Sequence, residues 1–178
     1  GYDPYSTKTN IEANLALQTF VYNNSRYSDI NVTASLNSQR VHLDAISNNN
    51  ACNLNIVADG LIEPNSYVFH AKSNIDQIDL QQIGFSDVAS SGQGFFDVYA
   101  EIDTKHNSYN TSIDLSNFKW NYDNTKLSTP LLKATFVSDS STVTSTIDNN
   151  DLVLRFKSDC SLDSFLHKIT ACQNIAME

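Results

Sequence analysis

The sequence predicts a mainly β protein, a long antiparallel meander with one amphipathic helix at its C-terminal end. Three observations carry that prediction. Apolar and polar residues alternate with period two along most of the chain. Clusters of Asn and Asp interrupt the alternation at intervals of roughly 10–16 residues. The period then changes to that of a helix after Ser161.

Ile11, Ala13, Leu15 and Leu17 alternate with Glu12, Asn14, Ala16 and Gln18, and the chain turns at Asn23-Asn24-Ser25. Ile30, Val32, Ala34 and Leu36 form the next alternation, then Val41, Leu43 and Ala45 against His42 and Asp44. Leu54, Ile56 and Ala58 follow the cluster Asn48-Asn49-Asn50, and Glu63-Pro64-Asn65 marks the next turn. The segment 84–94, with Ser90-Ser91-Gly92, is expected as the loop of the domain. Phe96, Val98, Ala100 and Ile102 then oppose Asp97, Tyr99, Glu101 and Asp103. After Lys105-His106-Asn107 come Ile113 and Leu115, then Phe118, Trp120 and Tyr122. Asp123-Asn124 precedes Leu132, Ala134 and Phe136, and Val143, Ser145 and Ile147 run to Asp148-Asn149-Asn150. Leu152, Leu154 and Phe156 end the series against Val153, Arg155 and Lys157.

Period two puts alternate residues on opposite faces, and one apolar face with one wet face favours antiparallel pairing. Asn and Asp serve the turns because they tolerate left-handed backbone and bond it. The count is about eleven strands between residues 8 and 157, in one domain over 1–178. Leu162, Phe165, Leu166, Ile169 and Cys172 then share one helical stripe, so 162–177 reads as a helix capped by Ser161, with Asp163 favoured by the dipole.

An apolar sheet face has to be covered by a second sheet, by closure into a barrel, by a helix, or by an apolar ligand. One helix of about 24 Å is too short to cover so many strands. The alternatives are a curved trough lined by apolar residues and a β-sandwich. Docking of Leu162, Phe165, Leu166 and Ile169 on the apolar face is expected to cap one end.

The 178 residues include 21 Asn and 22 Ser, and only 17% are charged. Lys plus Arg is 11 against 20 Asp plus Glu, a net charge of −9. That balance argues against nucleic acid as a partner, since such affinity comes from neutralising phosphates. No stretch reads as a signal peptide or as a run of 18 apolar residues. The abrupt start at Gly1 and the end of Met177-Glu178 in mid-pattern suggest a segment excised from a longer protein. Cys52, Cys160 and Cys172 form no C-x-x-C arrangement and are expected as free thiols, a bridge from Cys52 to one of the others staying open.

Catalytic signatures are missing. There is no G-x-S-x-G elbow, H-E-x-x-H helix, phosphate loop or dinucleotide fingerprint. His42 with Asp44 is the best metal pair on one strand face, and a solvated polar face explains it better. Asp76 with Asp79, and Glu101 with Asp103, have the composition of a glycosidase pair but read as wet-face residues. Phe118, Trp120 and Tyr122 share a face, where they serve as core or, if exposed, as a sugar-stacking strip. The sequons at Asn23, Asn31 and Asn110 are expected by chance in so Asn-rich a chain. No enzyme, cofactor or metal is expected.

The opening Gly1-Tyr2-Asp3-Pro4-Tyr5-Ser6 with Lys8-Thr9, followed by Leu15 and Leu17, resembles a recurring segment of TamB-type proteins. These are the translocation and assembly module proteins of the AsmA-like group, and the likeness is to their Bacteroidetes branch. Ile75-Asp76-Gln77-Ile78-Asp79-Leu80 leading to Ile83-Gly84, and Ile113-Asp114-Leu115-Ser116-Asn117-Phe118, extend the likeness. So does Ala134-Thr135-Phe136-Val137-Ser138-Asp139-Ser140 with Asp151-Leu152-Val153-Leu154-Arg155-Phe156. The resemblance implies a trough of the β-taco type in a protein that crosses the periplasm. Such a protein is anchored in the inner membrane by an N-terminal helix that this chain lacks. It implies phospholipid acyl chains as partners, and an outer-membrane barrel assembly protein met through parts outside this segment.

The function expected is that of a lipid-conduit segment, shielding acyl chains in a hydrophobic groove and supporting phospholipid transport to, or assembly of, the outer membrane. The groove is assigned to Leu15, Leu17, Val32, Leu36, Leu43, Leu54, Ile56, Val98, Ile102, Ile113, Leu115, Leu132, Phe136, Leu152, Leu154 and Phe156, assuming that they all face one way. The alternative is a β-sandwich adhesin or carbohydrate-binding module of the cell envelope, using an exposed aromatic patch with Trp120 in it.

Overall fold

In the computed structural model, which describes residues 3–22 and 25–164, the chain is a ten-stranded antiparallel meander in one unclosed sheet. The strands, in chain order, are β1 Asn10–Tyr22, β2 Ser25–Asn37, β3 Arg40–Asn49, β4 Cys52–Glu63 and β5 Ser66–Asp79. Then come β6 Ser90–Asp103, β7 Ser108–Tyr122, β8 Thr125–Ser138, β9 Val143–Asp148 and β10 Val153–Ser158. Spatial order equals sequence order, so every connection joins neighbours.

The turns explain why. Ser38 and Gln39 both adopt positive φ (48° and 71°), the geometry of the two-residue hairpin turn whose twist matches the strands it joins. Asn49 Oδ1 accepts the Ala51 N–H at the β3–β4 turn. Asp103 Oδ1 accepts the N–H groups of Lys105 and His106, and Asp139 Oδ1 those of Ser141 and Thr142. Asn107, Asp123 and Asn150 take positive φ. At these hairpins the side chains of Asn49, Asp103 and Asp139 thus satisfy backbone groups that leave the ladder.

Three sequence expectations are corrected. The strands among the described residues number ten against about eleven expected, and the pattern around Ile113 and that around Trp120 belong to one of them. Asn117, at φ 51°, is an extra residue in β7, and pairing slips by one between Gln93 and Phe95 there. A bulge switches the alternation from odd to even positions without ending the strand. Ser66–Asp79, absent from the predicted series, is a full strand, with its own slip between Ile75 and Ile78. The expected loop 84–94 is only half loop, since β6 begins at Ser90. Within 80–89, Ile83 is buried, and its carbonyl accepts a hydrogen bond from the Tyr27 hydroxyl.

The helix begins at 162–164; Phe165, Leu166, Ile169 and Cys172 lie outside the described residues. Before β1, the chain crosses the end of β2 and β3. Thr9 O accepts the Ser38 N–H, Tyr5 O accepts the Gln39 amide, and the hydroxyls of Tyr5 and Tyr67 meet at 3.1 Å.

No second sheet covers the first among the described residues. Their buried hydrophobic residues are Ala51, Ile83 and Val143 alone. The chain exposes 12097 Å², against about 8,600 Å² for a compact monomer of this mass. Cross-strand pairs and hairpins therefore hold the fold, in place of a closed core.

Candidate functional site

Residues directly paired across an antiparallel ladder project from the same face, so the register sorts every strand residue. Leu15 pairs with Val32, Val32 with Ala45, Ala45 with Ile56, Ile56 with Ser73, and Ser73 with Phe96. Phe96 pairs with Leu115, and Leu115 with Leu132. A second row runs through Ile11, Leu36, Val41, Gly60, Phe69, Ala100, Thr111, Phe136, Ser145 and Phe156.

Between them lies a row that crosses all ten strands. It is Ala13, Ala34, Leu43, Ala58, Ala71, Val98, Ile113, Ala134, Ile147 and Leu154. Every member is apolar, and alanine fills it on β1, β2, β4, β5 and β8. Leu43, Val98, Ile113, Ile147 and Leu154 stand among the alanines, so the row is apolar throughout but not uniformly small. At the strand spacing of about 4.8 Å its length is about 43 Å. At its β1 end, Ile11, Ala13, Ala34, Leu36 and Val41 line a depression.

The residues assigned to a groove fall on this one face. Leu15, Leu17, Val32, Leu36, Leu43, Leu54 and Ile56 do so by the β1–β4 registers. Val98, Ile102, Ile113, Leu115, Leu132 and Phe136 do so by the β6–β8 registers, and Leu154 and Phe156 by that of β9 and β10. Leu152 precedes β10 and is in phase with Leu154. None of them is buried: Leu15, Leu152, Leu154 and Phe156 are exposed and the others are half-buried. From the Leu17–Ile30 pair to the far end of the strands, the residues in these rows include no Asp, Glu, Lys or Arg. Phe69, Phe96 and the alanines of the middle row belong to the same face and were missing from the assignment. The alternation of Tyr67, Phe69, Ala71 and Ser73 would have found β5, but the extra Asp76 ends it early.

Aromatic rings extend the apolar surface toward the β7–β8 turn. Phe118 stacks on Trp120 at a centroid distance of 6.4 Å, and Phe96 meets Phe118 edge-on at 6.2 Å. The strip expected from Phe118, Trp120 and Tyr122 is thus two half-buried rings and an exposed Tyr122.

Apart from Arg26, which pairs with Val21, the charged residues of the strands occupy the other face. His42 Nδ1 is 2.8 Å from Asp59, His70 Nε2 is 2.6 Å from Asp97, and Lys72 Nζ is 3.4 Å from Asp97. Desolvation pushes the Asp97 carboxyl up, but the His70 hydrogen bond and the charges of Lys72 and His70 outweigh it and hold it below its ordinary value. His42 therefore pairs across the sheet with Asp59 rather than sharing a ligand with Asp44. No group of three His, Cys, Asp or Glu side chains suited to a metal occurs among the described residues. Glu101 accepts from the Tyr99 hydroxyl, Asp103 closes the β6–β7 turn, Asp76 accepts from Asn74, and Asp79 accepts the Gln82 N–H. Cys52 and Cys160 are free thiols, and burial raises the pKa of Cys52 against a lowering hydrogen bond with Ser47.

No family model, characterised protein or solved structure matched the chain in comparison.

Proposed function

We propose that this chain is a segment of a lipid conduit in the bacterial envelope, shielding acyl chains in a hydrophobic groove on their way across the periplasm. The observation that carries this reading is the apolar face, free of charged residues from the Leu17–Ile30 pair onward. It crosses all ten strands, has alanine on five of them along its middle row, and is left uncovered by the described residues. An exposed apolar surface of this extent needs an apolar partner. A linear hydrocarbon suits a long apolar row free of side-chain donors and acceptors. Burying it there contributes about 0.8 kcal/mol per methylene.

The resemblance to TamB-type proteins supports the same reading, and the envelope location and a barrel assembly partner rest on that resemblance alone. No catalytic residue is assigned, because a conduit needs no acid, base or nucleophile. The test is to purify the chain without detergent, extract it with organic solvent, and examine extract and protein by mass spectrometry. Co-purified phospholipid or fatty acid, and uptake of a fluorescent fatty acid by the delipidated chain, are expected. Clean protein that takes up no probe would overturn the proposal.

A further inference from the structure

The ladder is interrupted on both sides of β6 at one level. On β5, Asp76 and Gln77 together stand opposite Gln93, and on β7, Asn117 and Phe118 stand opposite Gly94. A bulge gives a strand one side chain more than regular pairing would, and re-aims it. Trp120 and Gly92 belong to the apolar face, so the neighbouring pairs Lys119–Gln93 and Asn121–Ser91 belong to the wet one. Asp76 joins them there, since its Oδ1 accepts from the amide of Asn74, which pairs with Phe95. Together these residues form a pocket of about 200 Å³ over β6, with Asp76 and Gln77 on one side and Lys119 and Asn121 on the other. On the same face Lys72 and Lys133 each meet a carboxylate of the next strand, at 3.4 and 3.6 Å. Lys119 does not. It stands two strands from Asp76, about 9.6 Å between backbones, with Gln93 between them. The side chains of Gln77, Gln93 and Lys119 have no partner among the described residues.

We propose that this pocket binds an acidic sugar, with the sugar carboxylate at Lys119 and ring hydroxyls at Asp76, Gln77 and Gln93. A hydroxyl both donates and accepts, which matches amide side chains that do both and a carboxylate that accepts. Lys119 is the one cation among the described residues lining the pocket, and its ammonium gives a carboxylate a charge-assisted hydrogen bond. Asp76 lies at the opposite wall, away from the ligand's own negative charge. Phe95 follows Gln93 by two residues on the same face and is 37% exposed, so its ring is open to the C–H face of a pyranose at one end of the pocket. The site lies on the side of the sheet away from the apolar rows and is independent of what those rows bind.

Glucuronic acid and glucose are the probes, followed by NMR on the isotope-labelled full chain. Glucuronic acid should give saturable shifts of the backbone amides of 91–93 and 119–121 across the millimolar range, and glucose the same shifts with weaker binding. Lys119 and Gln93 are exposed, so their replacement leaves the fold intact. Lys119→Gln should weaken glucuronic acid by about ten-fold and leave glucose unchanged. Lys119→Arg should keep most of the binding, and Gln93→Ala should weaken both sugars. Shifts that do not saturate, or that lie away from the pocket, overturn the inference. So does glucuronic acid binding that is undiminished in Lys119→Gln, or glucose binding as tightly as glucuronic acid.

Discussion

The six-membered ring of Trp120 fills the space above Gly92 that any side chain at that position would need. The two residues are direct cross-strand partners on β6 and β7. Glycine here serves a close approach rather than a loop, and it lets the indole lie flat on the sheet beside Phe118.

Gly92→Val should therefore displace the ring. Overpacking of this kind costs about 1–3 kcal/mol. A denaturant melt followed by the emission of Trp120, the chain's single tryptophan, measures both the loss and the new exposure of the indole. Adding Trp120→Ala should recover part of the loss, because the clash is gone. A double variant no more stable than Gly92→Val would mean that the strain lies in the backbone.

The wet face should respond to acid. Asp97 titrates below its ordinary value of 3.8, so it is ionised more readily folded than unfolded. A depressed carboxylate contributes stability above the unfolded pKa, and that contribution disappears as the pH falls through the folded one. Asp103 and Asp139 are lowered too, Asp103 first by the His106 hydrogen bond and Asp139 first by the Ser141 N–H. Melting between pH 5 and about 2 should show this loss of stability, and Asp97→Asn should flatten part of it. An unchanged slope in Asp97→Asn would show that the cluster with His70 and Lys72 is too well solvated to matter.

The pattern of alternation was legible for a physical reason. Tight hairpins keep strand parity, so alternating apolar residues written along β1 to β4 stay on one face, from Leu15 to Ile56. The bulges were legible only as shifts of phase: Ile113 and Leu115 are odd, Phe118 and Trp120 even, and Asn117 stands between them. Read as a break, that shift divides β7 into two strands. The apolar row across the strands was harder to see. Ala58 and Ala71 are unremarkable in their own strands, and only the register sets them opposite each other and in line with Ala34 and Ala134. Periodicity finds the face, whereas pairing is needed to find a path across it. That the described residues leave the face uncovered was not legible at all, because a sandwich has the same alternation.

A face that the described residues leave uncovered predicts an unusual tolerance. A charge placed in a closed core is unpaired in low dielectric and commonly unfolds a domain. Ile56 is half-buried and Leu154 is 53% exposed. Ile56→Asp and Leu154→Asp should thus stay folded, each losing less than about 2 kcal/mol. Binding of a fluorescent fatty acid should fall clearly in both. Unfolding of both variants would mean that the face is packed in solution. Retained folding with unchanged probe binding would move the ligand away from these rows.

Enlarging the alanines of the middle row tests the shape of the face rather than its polarity. Ala58→Leu and Ala71→Leu add apolar bulk at the centre of the middle row, where nothing among the described residues lies over the sheet. In a closed core, inserting this bulk would cost about 1–3 kcal/mol. On an open face the larger side chain meets its row neighbours Leu43 and Val98 and displaces only solvent, so stability should hold or rise slightly. The cost should fall on the ligand. If a hydrocarbon lies along the alanines, the double variant blocks its path, and fatty-acid binding should weaken although the face has become more hydrophobic. Tighter binding would show that the probe spreads over the apolar surface without following the middle row, and its alanines would then be an accident of the register. Chemical denaturation and probe titration on the same preparations separate the two outcomes.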